Sequence, residues 1–96
     1  MPVLYCALEL YLPYCHSLKE KRRVIKSAAD RLRSKFKMSV AELDYQDTWQ
    51  RSLLGAAAVG SSREVLEQMS NKILLESERI LGGDLVDFYF EILEHQ

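Results

Sequence analysis

Val3-Leu4-Tyr5-Cys6-Ala7-Leu8-Glu9-Leu10-Tyr11-Leu12, closed by Pro13 and followed by His16-Ser17-Leu18-Lys19-Glu20, is the stretch that decides the fold. Leu4, Cys6, Leu8, Leu10 and Leu12 form one wholly apolar set, and Val3, Tyr5, Ala7, Glu9 and Tyr11 alternate with them. That period of two is a strand with one face on a core. Pro13 has no amide hydrogen with which to continue a ladder. Ser17 then has the chemistry to cap a helix, with Glu20 placed to reach back to the cap's own amide. At 100° per residue, Leu18, Ile25, Ala28, Ala29, Leu32 and Phe36 gather in one stripe, as in a helix lying on a sheet.

Working outward, Met38 to Tyr45 contains the strand formers Val40, Leu43 and Tyr45, and the charges of Glu42 and Asp44 suit an edge position. Gln46 to Arg51 is a polar connection. Leu53 to Val59 is a short run of small apolar residues, which fits a buried central strand. Ser61 and Glu64 repeat the capping spacing, and Val65, Leu66, Met69, Ile73 and Ile80 share one face of a second helix. Gly82 and Gly83 end it. Leu85 to Leu93 alternates again, with Val86, Phe88, Phe90 and Ile92 on one side and Asp87, Tyr89, Glu91 and Leu93 on the other.

The order strand, helix, strand, strand, helix, strand predicts an α+β fold, the ferredoxin-like βαββαβ two-layer sandwich. Right-handed crossovers place the first and third strands centrally and both helices on one face of an antiparallel-type sheet, leaving the other face open. The 96 residues are expected to form one such domain, 1–96. An apolar fraction of 48% with 28% charged residues is ordinary globular usage. No run approaches the roughly 18 apolar residues of a membrane span, and no leader pattern precedes the first strand, so a cytoplasmic protein is expected. Cys6 and Cys15 are too few for a disulfide scaffold and read as reduced thiols. The net charge of −1 hides a segregation. Between His16 and Lys37 nine Lys or Arg face two acids, whereas the remainder carries four bases and twelve acids.

Over nearly its whole length the chain resembles the YlxP-like family of small bacterial proteins, a domain of unknown function. The resemblance rests on His16-Ser17-Leu18-Lys19-Glu20-Lys21-Arg22-Arg23, Val40-Ala41-Glu42, Gln46-Asp47-Thr48-Trp49-Gln50-Arg51 and Gly55. It implies a ferredoxin-like fold, a bacterial cytoplasmic setting, and genes commonly beside those for transcription and translation factors. It implies no established activity. Where the family has a Pro-Gly-Ala-like turn, this chain has Pro13-Tyr14-Cys15, so any role for Cys15 is peculiar to this protein.

Three surfaces are candidates for function. Lys19, Arg22, Arg23, Lys26, Arg33 and Lys37 fall along the exposed flank of the first helix, a stripe suited to RNA phosphates or a ribosomal surface. The competing reading is a solvated helix face, with Asp30 paired to Lys26 four residues before it. His16 and Ser17 lie where a helix N-terminus holds an anion. Val3, Tyr5, Ala7, Tyr89 and Leu93, over a third strand of small residues, suit close approach by another sheet, and with Trp49 as an anchor they predict a homo-oligomer interface. Base stacking on Tyr5 and Tyr89 loses its support because the third strand carries no aromatic residue. Trp49 in a polar connection also fits a plug at the end of the core.

Catalytic chemistry is not spelled out. Cys15 sits in the turn before the helix without a base at recognisable spacing, and Cys6 reads as a small core residue. Cys15 and His16 are adjacent and His95 stands alone near the end, so no metal set is expected, and no cofactor fingerprint is present. Glu42, Asp44 and Asp47 with Trp49 and Arg51 are the residues an enzyme or anion-binding alternative would use, together with His16. The preferred reading is a non-enzymatic, oligomerising module associated with RNA, translation or ribosome assembly.

Overall fold

A computed structural model describes residues 1–94. The first strand, β1 (Pro2–Tyr11), forms as the alternation requires, with Leu4, Cys6, Leu8 and Leu10 fully buried. Leu12 extends its grip by donating its amide to the Gln50 carbonyl at 2.8 Å. Helix α1 (Leu18–Phe36) starts at Ser17, whose hydroxyl accepts the Glu20 amide at 3.1 Å. The Glu20 carboxylate returns not to Ser17 but to the His16 amide at 2.9 Å, one residue earlier than expected.

Strand β2 (Ser39–Asp44) pairs with β3 (Arg51–Val59), helix α2 (Arg63–Leu81) follows, and a 3₁₀ turn at Gly82–Asp84 leads into β4 (Leu85–Glu94). The cap of α2 is Ser62, whose extended backbone lets its hydroxyl accept the Val65 amide at 3.3 Å, rather than the Ser61 expected from spacing. Gly82 ends the helix with φ 54°, a conformation that favours glycine. All pairings are antiparallel in the order β2-β3-β1-β4, so β1 and β3 are central and β2 is an edge. This is the ferredoxin-like sandwich: Ala28 and Leu32 of α1 and Leu66 and Ile73 of α2 pack on the face made by Leu4, Cys6, Leu8, Leu54 and Ala56.

Two apolar assignments change. Val65 is exposed, and the buried face of α2 is completed by Ser70, Ser77 and Leu81 instead. In β4, Asp87 stands opposite Glu9 but Leu85 stands opposite Leu10, so Val86 is an extra residue at a bulge and faces solvent. Beyond it Phe88 and Ile92 pack on the core as expected, while Phe90 is left partly exposed on the edge strand. The two helices are also tied by charge. Arg31 at 3.1 Å, Lys35 at 2.6 Å and Arg79 converge on the buried Glu76 carboxylate. Among the described residues no helix is long and apolar enough to cross a membrane.

Candidate functional site

Lys21 lies three residues after Leu18 and four before Ile25, inside the apolar stripe of α1, and is only 1% exposed. An ammonium taken out of water must be paired and hydrogen-bonded. Lys21 Nζ donates to the carbonyls of Tyr45 at 2.5 Å, Thr48 at 2.6 Å and Arg51 at 3.1 Å, and pairs with Glu42 Oε2 at 2.9 Å. The other donor to that carboxylate oxygen is the buried Ser52 hydroxyl at 2.7 Å. Three N–H bonds thus serve four acceptors, and the whole β2–β3 connection closes around them.

A second tie comes from Gln50, whose side-chain amide donates to the carbonyls of Pro13 at 3.0 Å and Cys15 at 3.3 Å. Within the connection, the Thr48 amide donates to the Tyr45 carbonyl at 2.9 Å, and Tyr45 takes a left-handed φ of 64° while the Asp44 carboxylate accepts its amide. Segments that are distant in the chain, His16–Arg23 and Gln46–Arg51, therefore meet at one end of the sheet. Between them lies an open groove of about 450 Å³ lined by His16, Asp47, Thr48, Trp49 and Gln50.

Trp49 is 50% exposed on that groove. It does not plug the core, and it does not belong with the sheet-face residues, because the β1–β3 ladder has already ended at the Tyr11–Arg51 pair. The other five do share the open face: Ala7 pairs with Tyr89, Val3 with Leu93, and Tyr5 lies between Ala57 and Glu91. Tyr89 and Leu93 are exposed, and Val3, Tyr5 and Ala7 are half-buried by their neighbours. On the same face Leu43, the extra residue of a bulge in β2, lies over Gly55, where a Cβ would meet its Cδ1 at 2.5 Å. Tyr5, Ala41, Leu43, Gly55 and Ala57 line an apolar groove of about 270 Å³ there.

The six basic residues of the predicted stripe are all exposed. Lys26 pairs with Asp30 at 2.7 Å, the expected contact. Arg33 also reaches Asp30, at 3.4 Å, and donates to the Val40 carbonyl on the edge strand at 2.8 Å. Lys19, Arg22, Arg23 and Lys37 make no ion pair among the described residues.

At the start of α1 the Ser17 hydroxyl and the His16 amide are both engaged by Glu20, so this carboxylate already stands where an anion would sit. The His16 side chain is exposed. Cys15 is fully buried, and burial, followed by the neighbouring Glu20 charge, raises its thiol pKa instead of producing the thiolate that the helix dipole favours. Cys6 is pushed up to about 12 by burial. In the alternative acidic region, Glu42 is committed to Lys21 and Ser52, and Arg51 to Glu9 at 2.6 Å with its guanidinium stacked 4.3 Å from the Tyr45 ring. No group of three metal-ligating residues occurs among the described residues, and His95 lies outside them.

Sequence reasoning missed Lys21, Ser52 and the bracing role of Gln50. The available signal was a lysine at helical spacing within an apolar stripe, a position where a charge needs a specific partner.

A family model described as protein of unknown function, DUF503, matches residues 3–89. The chain belongs to the DUF503 family. This DUF503 chain is 50% identical over 58 residues to the uncharacterized protein YlxP of Bacillus subtilis (strain 168). That match takes in 60% of the chain and 63% of the length of the curated relative. Among solved structures, Rv0793 from Mycobacterium tuberculosis is similar with a TM-score of 0.56 at 16% identity, over 100% of this chain and 96% of that one. At3g17210 from Arabidopsis thaliana gives 0.56 at 15%, over 98% and 95%. The de novo designed protein Foldit4 gives 0.55 at 12%, over 99% and 98%. At such identities the likeness concerns the fold alone.

Proposed function

We propose that this DUF503 protein is a non-catalytic RNA-binding module of the bacterial cytoplasm, working with the translation or ribosome-assembly apparatus, and that it self-associates through its open sheet face. The observation that carries the reading is the charge of α1: six exposed cations along one flank with Asp30 as their paired counter-charge. Binding of this kind releases condensed counterions, and each engaged phosphate adds about 0.7 to the slope of log affinity against log salt for a single strand. Replacing Lys19, Arg22, Arg23 and Lys26 with Gln is expected to lower that slope by about 3. An unchanged slope and affinity for RNA overturns the reading.

Self-association is supported by area. The β1–β3 ladder runs nine residue pairs and the sheet has four strands. At about 3.3 Å per residue and about 4.8 Å between strands, the open face projects roughly 550 Å². That projected area is of the same order as the ~800 Å² of accessible surface that each partner of a standard interface buries. The charges on this face include Glu9 and Arg51, which pair at 2.6 Å, and Asp87 and Glu91 on the edge strand β4. A solution mass at tens of micromolar tests this directly, with Ala7→Glu expected to yield monomers. A wild-type monomer at that concentration refutes it.

A further inference from the structure

We infer that the Trp49 groove seats one unstacked base of an RNA strand, an assignment that rests on the RNA-binding reading above and gives it a second element. The backbone from Tyr45 to Arg51 is held by the Lys21 ammonium at three carbonyls, by the Gln50 side chain, and by the Leu12 and Thr48 amides. A polar connection fixed so firmly nonetheless leaves its indole half-exposed and outside the apolar core. The ordering entropy of the loop is lost on folding, not on binding, so a ligand meets a preformed aromatic surface.

The chemistry around the indole favours a base over an apolar peptide side chain. Asp47, Thr48, Gln50 and His16 line the groove with it, and neither the Asp47 carboxylate nor the Thr48 hydroxyl has a hydrogen-bond partner among the described residues. A carboxylate beside a stacking ring accepts N–H donors from a base edge. Guanine presents two adjacent ones and uracil a single one, so guanine is the preferred occupant. The groove opens at the N-terminal end of α1, and Lys19, Arg22, Arg23 and Lys26 follow along the next 15 Å or so of helix. An aromatic platform at the start of a helix that carries a cationic stripe combines the two elements that bind single strands.

Trp49 is the sole tryptophan, so its own fluorescence reports occupancy. The native protein is titrated at low salt with a dye-labelled octauridylate and with the same strand carrying one central guanosine. Binding is followed by dye anisotropy and Trp49 quenching together. The expected result is quenching that saturates with binding, tighter binding of the guanosine strand, and loss of that preference in Asp47→Asn. Trp49→Ala is expected to weaken binding about tenfold with an unchanged salt slope, and Trp49→Phe to restore most of it. Saturable, salt-dependent binding without quenching overturns the platform while leaving the α1 stripe intact. Absence of any RNA binding at low salt overturns both.

Discussion

Replacing Lys21 with Met keeps the volume and the aliphatic stem while deleting the ammonium. The carbonyls of Tyr45, Thr48 and Arg51 then lose their shared donor, and Glu42 retains only the Ser52 hydroxyl. Removing one partner of a buried ion pair costs about 3–5 kcal/mol. Glu42 is 20% exposed, so water recovers part of its solvation, and the lower end, about 3 kcal/mol, is the appropriate figure. A domain of this size has roughly 5–15 kcal/mol in total. At roughly 4–8 °C per kcal/mol, Lys21→Met should lower the melting temperature by about 12–24 °C. Urea unfolding should show a shifted midpoint with little change in slope, since the core is untouched. Adding Glu42→Gln should recover about 1 kcal/mol, because no charge is then left unpaired. A loss below about 1 kcal/mol for Lys21→Met would refute the view that this ammonium fixes the connection.

Other outcomes follow from single contacts. Arg79 and Lys35, with Arg31, hold the Glu76 carboxyl down to about 2. A carboxyl whose folded pKa is depressed contributes stability that is present above its unfolded value and lost as pH falls toward the folded one, here from about 4.5 toward 2. Thermal melts of Glu76→Gln should therefore lack that part of the acid limb, and identical limbs would count against the cluster. The buried Ser77 hydroxyl has no partner among the described residues, so Ser77→Ala should be neutral or stabilise by about 1 kcal/mol in urea titrations. Both cysteines should resist a thiol reagent in the native protein and react in denaturant, because both are buried with raised pKa values.

Much of the fold is legible because its period is unambiguous. Five alternating residues from Leu4 to Leu12 permit one face only, and the glycines after α2 permit one stop. Helix caps are less well specified, since Ser61 and Ser62 have the same chemistry and tertiary placement chooses between them. The bulge at Val86 left no local mark, because an extra apolar residue in an apolar strand breaks no pattern. The candidate site was legible only in part. The exposed stripe of α1 follows from helical geometry, but a lysine is assigned to solvent by default. Lys21 becomes interpretable only when Tyr45, Thr48 and Arg51 are brought to it by the sheet, and Trp49 takes its place from that same convergence.

The span of the Lys21 contacts also has a bearing on the order of events in folding. Its carbonyl acceptors lie 24, 27 and 30 residues downstream, so none can be satisfied by local helix formation. Closing those loops needs α1 docked and the β2–β3 hairpin formed, so the contact is expected to form late, after the nucleus. Interactions made that late act on the escape rate from the native state and leave the folding rate nearly unchanged. On that expectation the buried ammonium acts as a kinetic latch, and Lys21→Met should speed unfolding while leaving the folding rate nearly unchanged in stopped-flow chevrons; an equal slowing of folding would place the contact in the nucleus instead.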